Sequence, residues 1–238
     1  MNITIGHLYP DLLNLYGDRG NIRCLTKRLE WRGIESNVIE YKLNDKVDFN
    51  ECDIFLLGGG SDREQKLVCR ELFKIKKDFK KYVEDMGVVI AICGGYQLLG
   101  SYYKMNDEKV EGLELVDLYT EQKEGRLIGN ITIKSDLFDT PITGFENHGG
   151  RTYIGKDVKA LGKVITGYGN DGESGYEGVA YKNIIGTYLH GPLLPKNPEV
   201  SDYLLTKALS RKYGKDITLD PLDDTAEKRA NAYSQKLV

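Results

Sequence analysis

The chain has no long apolar run, no paired-cysteine pattern, little surplus of one charge and only 3 histidines, and each shortage removes a class of function. Its longest uninterrupted apolar stretch, Val88 to Cys93, is far below the ~18 residues of a bilayer-spanning helix, so no membrane insertion is expected. The amino-terminal Met1-Asn2-Ile3-Thr4-Ile5-Gly6-His7 has no basic leader and meets Pro10-Asp11 before any secretory apolar core, which sets the expectation of a cytoplasmic protein. The cysteines Cys24, Cys52, Cys69 and Cys93 form no CxxC pair and no zinc-ribbon spacing, and read as free thiols of a reducing compartment. With 33 Lys+Arg against 36 Asp+Glu the formal charge is −3, which offers no net field to nucleic acid. Nucleic acid is therefore not an expected partner, and nothing in the chain calls for a metal, flavin or nucleotide of its own.

What is present suits one large domain: 238 residues, 40% hydrophobic, without internal repeats or a low-complexity linker. A short β-rich run at Ile3 to Leu8 precedes a turn-prone stretch from Tyr16 to Asn21 and a helical pattern from about Ile22 to Trp31. Strands follow near Ser36 to Tyr41 and Asp53 to Leu57, the second closing on Gly58-Gly59-Gly60-Ser61-Asp62. Ser61 or Asp62 is placed to cap a helix over roughly Arg63 to Met86, with a break expected near Lys77. The apolar strand Val88 to Ile92 then runs into Cys93-Gly94-Gly95 and a helical pattern, Tyr96 to Tyr102. These alternations predict an α/β fold with a mostly parallel central sheet and helices on both faces. Beyond Gly112, β-leaning segments at Arg126 to Lys134, Ile142 to Glu146, Gly162 to Thr166, Gly178 to Tyr181 and Ile184 to Tyr188 predict sheet extension and hairpins. A last helix is expected over Pro198 to Tyr213, with a polar, weakly patterned tail from about 214 to 238.

Sites in open parallel sheets lie at the carboxyl ends of the strands, where both the triglycine turn and Cys93 fall. A nucleophile on a tight strand-to-helix turn needs small neighbours, and Ala91, Gly94 and Gly95 supply them beyond what packing alone asks for. A helix opening just after Cys93 would aim its dipole and free amides at the sulfur and favour the thiolate. Cys24, Cys52 and Cys69 read as packing residues. A thiolate needs a base, and of His7, His148 and His190 the last is preferred, because it follows an apolar strand and precedes Gly191-Pro192. His7 reads as structural and His148 as a residue able to line the site. The triglycine turn lacks the Lys-Ser/Thr of a nucleotide phosphate loop, leaving an oxyanion hole beside the thiol or a plain turn. Lys74, Lys76, Lys77, Lys80 and Lys81, interleaved with Phe73, Ile75, Phe79 and Val83, read as the solvated face of an amphipathic helix.

Taken together, Ile92-Cys93-Gly94-Gly95-Tyr96-Gln97, the earlier glycine turn and the late Leu189-His190-Gly191-Pro192 resemble the triad-type (class I) glutamine amidotransferases. Gly144 to Thr152 resembles the cobyric acid synthase branch of that superfamily. Asn14 to Asn21, Gly58 to Gln65 and His190 to Pro198 are similar to the GatD-type glutaminase subunits of lipid II isoglutaminyl synthase, and the resemblance covers about residues 3 to 210. It implies a flavodoxin-like fold, with Cys93 attacking the side-chain amide of L-glutamine to give a γ-glutamyl thioester and ammonia, and His190 as base. It further implies Gly59 and Gly94 amides around the oxyanion, Gln97 beside the substrate, and Arg126 on the substrate's α-carboxylate, which a guanidinium pairs bidentately. The implied partner is a Mur-ligase-like subunit (MurT type) that forms a heterodimer, binds the ATP and amidates D-glutamate of lipid II.

One departure from the superfamily pattern matters. Many members carry a Glu two positions after the histidine, where this chain has Pro192, so the carboxylate that would orient His190 is missing locally and is expected from the partner. Three other readings stay open: a glutaminase serving a cobyrinate-like acceptor, a cysteine hydrolase of related α/β architecture, and a non-catalytic module that binds a ligand in its glycine turns.

Overall fold

The computed structural model describes residues 1–15, 17–105 and 108–237, so Tyr16 of the turn-prone stretch lies outside the described residues. The first part alternates strand and helix: β1 (Asn2–Leu8), α1 (Arg19–Glu30), β2 (Glu35–Tyr41), β3 (Ile54–Leu57), α2 (Asp62–Glu84), β4 (Val88–Ile92) and α3 (Gly94–Leu98). Eight strands follow, β5 (Tyr102–Met105), β6 (Glu108–Glu111), β7 (Leu118–Lys134), β8 (Ile142–Ile154), β9 (Gly162–Thr166), β10 (Tyr176–Glu177), β11 (Val179–Tyr181) and β12 (Ile184–Thr187), and then α4 (Pro198–Tyr213) and α5 (Thr225–Ser234).

The central sheet has the order β11-β12-β4-β3-β1-β2, parallel throughout except at β11. The chain steps one way from β1 to β2 and the other way from β3 to β4, so right-handed crossovers carry α1 and α2 to opposite faces. Covered on both sides, β3 and β4 are buried at every residue, which is why they read as unbroken apolar runs. The mostly parallel α/β sheet expected from the sequence is therefore observed, and the β-rich second half forms a sheet of its own. That sheet runs β10-β9-β7-β5-β6 with β8 also paired to β7. The two sheets meet where Phe145 of β8 and His190 exchange backbone hydrogen bonds (3.0 and 3.1 Å), and one apolar core cluster holds Ile3, Val89 and Leu205 together with Ile131, Ile142 and Leu161.

Three local expectations are corrected. Helix α2 passes Lys77 unbroken, because Val68, Leu72, Phe79 and Val83 keep one buried stripe while Lys77 and Asp78 simply face outward. Helix α3 starts at Gly94 and stops at Leu98, five residues in all, because the chain turns at Gly100 and pairs β5 with β7. The polar tail contains α5, held by a polar anchor rather than an apolar stripe. Asn231 is 1% exposed and donates to Pro141 O, Lys196 O and Asn197 Oδ1, and fully buried Arg28 grips Asp224 and Asp202.

Candidate active site

Strand β4 delivers Cys93 at its carboxyl end with φ 50° and ψ −105°, a left-handed conformation that costs a non-glycine residue on the order of 1–3 kcal/mol. The strain is held in place on both sides. The Cys93 N–H donates to Thr187 O at 2.8 Å, continuing the β4–β12 ladder, and Gln97 N–H returns to Cys93 O at 3.1 Å. Packing demands Gly95, contrary to the sequence expectation, because a Cβ there would lie 2.3 Å from the backbone oxygen of Leu57, whereas one on Gly94 would meet only the Gln65 side chain, 2.5 Å from Nε2. Helix α3 makes no side-chain cap hydrogen bond to Cys93, and with five residues it lacks the length for a full macrodipole.

The triglycine turn after β3 braces this elbow. Gly95 N–H donates to Gly58 O (3.1 Å), and Gln65, from the first turn of α2, donates Nε2–H to Gly60 O at 3.1 Å. Ser61 is the helix N-cap, and its N–H donates to Glu64 Oε2 at 2.8 Å. Gly59 departs from expectation: its N–H is committed to buried Asp18 Oδ2 (3.1 Å), and Gly60 is the glycine that borders the open space.

That space is a cavity of about 220 Å³ with Cys93 in its wall, smaller than the roughly 300–1,000 Å³ of drug-sized sites and suited to a ligand of amino-acid size. Gly60, Ser61, Gln65 and Gln97 come from the central sheet's side, and Tyr103, Gln122, Arg126, Asn147, His148 and Gly149 from the second sheet. Arg126 sits where the β7–β8 register shifts between Gln122 and Leu127, a bulge that turns its side chain to the cavity rim. Its Nε and Nη2 donate to Asn147 Oδ1 and Asn147 O, both at 2.8 Å, which fixes the guanidinium plane. Gln97 is 3% exposed and donates Nε2–H to Tyr188 Oη at 3.1 Å, so it ties the elbow to the wall formed by Tyr188, Thr152 and Thr120.

His190 lies at the end of β12, the parallel neighbour of β4, so it and Cys93 share one edge of the sheet. Burial, helped by nearby His148 and Lys196, depresses its pKa to about 4, which leaves a neutral imidazole at ordinary pH. His148 borders the cavity directly. Its ring stacks on Tyr188 (centroids 3.6 Å, planes 4° apart), Nδ1–H donates to Gly150 O at 2.7 Å, and Nε2 lies 3.5 Å from Glu146 Oε2. Glu177, fully buried, accepts from Thr187 Oγ1 and Tyr188 N–H, yet burial still pushes its carboxyl up to about 8. His7 is buried in β1 and is not part of the cavity lining.

The CobB/CobQ-like glutamine amidotransferase domain model matches residues 4–198. The chain belongs to that family. Among its amidotransferase relatives, the lipid II isoglutaminyl synthase (glutamine-hydrolyzing) subunit GatD of Staphylococcus aureus (strain N315) is 52% identical over 96% of this chain and 93% of that protein. The protein of the same name from Streptococcus pneumoniae (strain ATCC BAA-255 / R6) is 43% identical over 98% of this chain and 90% of its own length. A crystal structure titled glutamine amidotransferase aligns with a TM-score of 0.53 at 16% identity, over 86% of this chain and 98% of that one, and supports the α/β fold.

For an amidotransferase, the cavity is a wall of two sheets around one thiol. Cys93, Gln97 and Arg126 of the expected residues line it, Gly94 follows Cys93 in the chain, His190 shares the sheet edge with Cys93 but is not part of the lining, and Gly59 is turned to Asp18. Asp18, Gln65, Glu146 and Asn147 were not singled out from sequence. For all four a signal existed, since Asp18 lies in Asn14 to Asn21, Gln65 in Gly58 to Gln65, and Glu146 and Asn147 in Gly144 to Thr152, the stretches that carry the family resemblance. The other thiols are unsuited to attack, because burial pushes Cys52 and Cys69 up to about 11 and raises Cys24.

Proposed function

We propose that this chain is the glutamine-hydrolysing subunit of a lipid II isoglutaminyl synthase. The observation that carries the reading is Cys93, the strained residue at a strand-to-helix elbow, facing a cavity of amino-acid size whose rim holds a fixed guanidinium. The α-carboxylate of L-glutamine pairs with the remaining N–H groups of Arg126, which sets the side-chain amide at Cys93. The thiolate sulfur adds to the amide carbon, and the amides of Gly94 and Gly60 take the oxyanion. His190, neutral at working pH, takes the thiol proton and passes it to the departing nitrogen, so the C–N bond breaks to ammonia and a γ-glutamyl thioester. Water, deprotonated by the same imidazole, then releases glutamate and restores the thiol.

Ammonia passes to a Mur-ligase-like partner that uses ATP to amidate D-glutamate of lipid II; the word "subunit" in the relatives' names supports a partner. In this reading the two sheets form one domain, supported by their common core cluster. The protein works in the cytoplasm beside the membrane that carries its acceptor. Among the described residues, no helix is long and apolar enough to cross a membrane.

The partner also supplies the carboxylate that orients His190, since Pro192 stands where many superfamily members have Glu. Co-expression with the ligase subunit and an assay of precursor amidation test the assignment. Comparing kcat for glutamine with and without that subunit tests the divided triad: a large rise on complex formation supports it, and full activity of the chain alone refutes it.

A further inference from the structure

A second cavity, of about 530 Å³, shares no lining residue with the first and carries far more charge. Its charged lining comprises Lys134, Lys159, Lys163 and Lys182 against one acid, Asp136, in a chain whose total charge is negative. Lys134 of β7 and Lys163 of β9 are direct cross-strand partners, and Tyr176 of β10 continues the same row. Two like charges placed opposite each other across a sheet cost stability, so the pair is a liability unless an anion sits over it. Lys134 is steadied by Phe138 O and Asp139 O, and Lys182 is offset by Glu84; among the described residues, no ion pair compensates Lys159 or Lys163. Buried Leu161 and half-exposed Tyr176 add apolar surface to the lining.

We propose that this lysine-lined cavity is a binding site for a phosphate- or diphosphate-bearing ligand. Ammonium groups are point-charge partners for phosphate oxygens, and a concave site of this volume takes a small molecule or a single headgroup. The proposal is independent of the glutaminase assignment, because no residue of the glutamine cavity takes part.

Two sources of the same chemistry, a free diphosphate and a lipid headgroup, are separated by one experiment on the full chain. Inorganic pyrophosphate is titrated calorimetrically, and phosphatidylcholine vesicles with and without phosphatidic acid are co-sedimented with the protein, each with wild type and with the Lys159→Glu, Lys163→Glu double variant. Saturable pyrophosphate binding that the double variant weakens more than about tenfold supports the site. If vesicles without phosphatidic acid and those with it are bound equally or not at all, the ligand is a soluble phosphate. If phosphatidic acid alone recruits the protein and pyrophosphate competes it off, the ligand is a headgroup. Unchanged hydrolysis of free glutamine by the double variant shows that it is folded. Absence of both kinds of binding in wild type, or equal binding by the folded variant, overturns the proposal.

Discussion

The two walls of the glutamine cavity are built by different physics. On the central-sheet side, backbone does the work: a strained Cys93, glycines that admit no Cβ, and peptide groups hydrogen-bonded between neighbouring turns. On the second-sheet side, side chains do it: Arg126 is clamped by Asn147, His148 stacks on Tyr188, and Thr120 and Thr152 begin a buried hydrogen-bonded row that runs through Tyr188 to Gln97 of the first wall. In the proposed mechanism the first wall carries the reacting atom and the second recognises what comes to it. Substitutions in the two walls should therefore fail in different ways.

The largest effect is expected from Cys93→Ser, which should lower kcat by at least about 10⁴-fold while glutamine binding, set by the opposite wall, persists in calorimetry. Arg126→Ala should act on the other parameter, lowering kcat/KM by roughly 10²-fold or more, chiefly through KM, as loss of a charge-assisted carboxylate pair demands. A kcat-only defect would break the division of labour.

Next comes pH. His7 and His190 both have pKa values depressed to about 4 by burial, so below an unfolded value of about 6.5 the unfolded chain binds protons that the folded chain refuses. Their contribution is therefore intact above pH 6.5 and is lost as pH falls from about 6.5 to about 4, by about 3 kcal/mol for each group. Urea unfolding across that range should show the slope, and replacing both histidines by Gln should flatten it. Smaller is the loss of about 1–3 kcal/mol of stability expected for Gly95→Ala, whose new methyl meets Leu57 O; the smallest is that of Gly149→Ala, whose methyl would lie 3.6 Å from Arg126 Nη1 and which should be nearly silent in melting.

The contrast also explains what could be read from the sequence. Strands covered on both faces leave continuous apolar runs, so β4 was located to the residue and the thiol at its end followed. The second wall leaves no such trace. Arg126 reaches the cavity only because of a register shift in β7, and from sequence it had a role only through the family resemblance. Glu146 and Asp18 are buried carboxyl side chains whose partners, Tyr168 and Gly169 amides for one and the Gly59 amide for the other, are far away in the chain. Helix α5 was missed for a similar reason: its buried anchor is Asn231, and periodicity detects apolar stripes, not amides. Gly94 and Gly95 stand out in the sequence, but the reason for Gly95 lies in packing, where Leu57 O presses against it from a distant part of the chain.

The central claim is that one thiol, Cys93, meets glutamine in this cavity. Treating the protein with a diazoketone analogue of glutamine and mapping the adduct by mass spectrometry tests it most directly. A single adduct on Cys93, suppressed by excess L-glutamine and slowed by Arg126→Ala, is the predicted result. An unlabelled Cys93, or labelling that glutamine leaves unchanged, would contradict it.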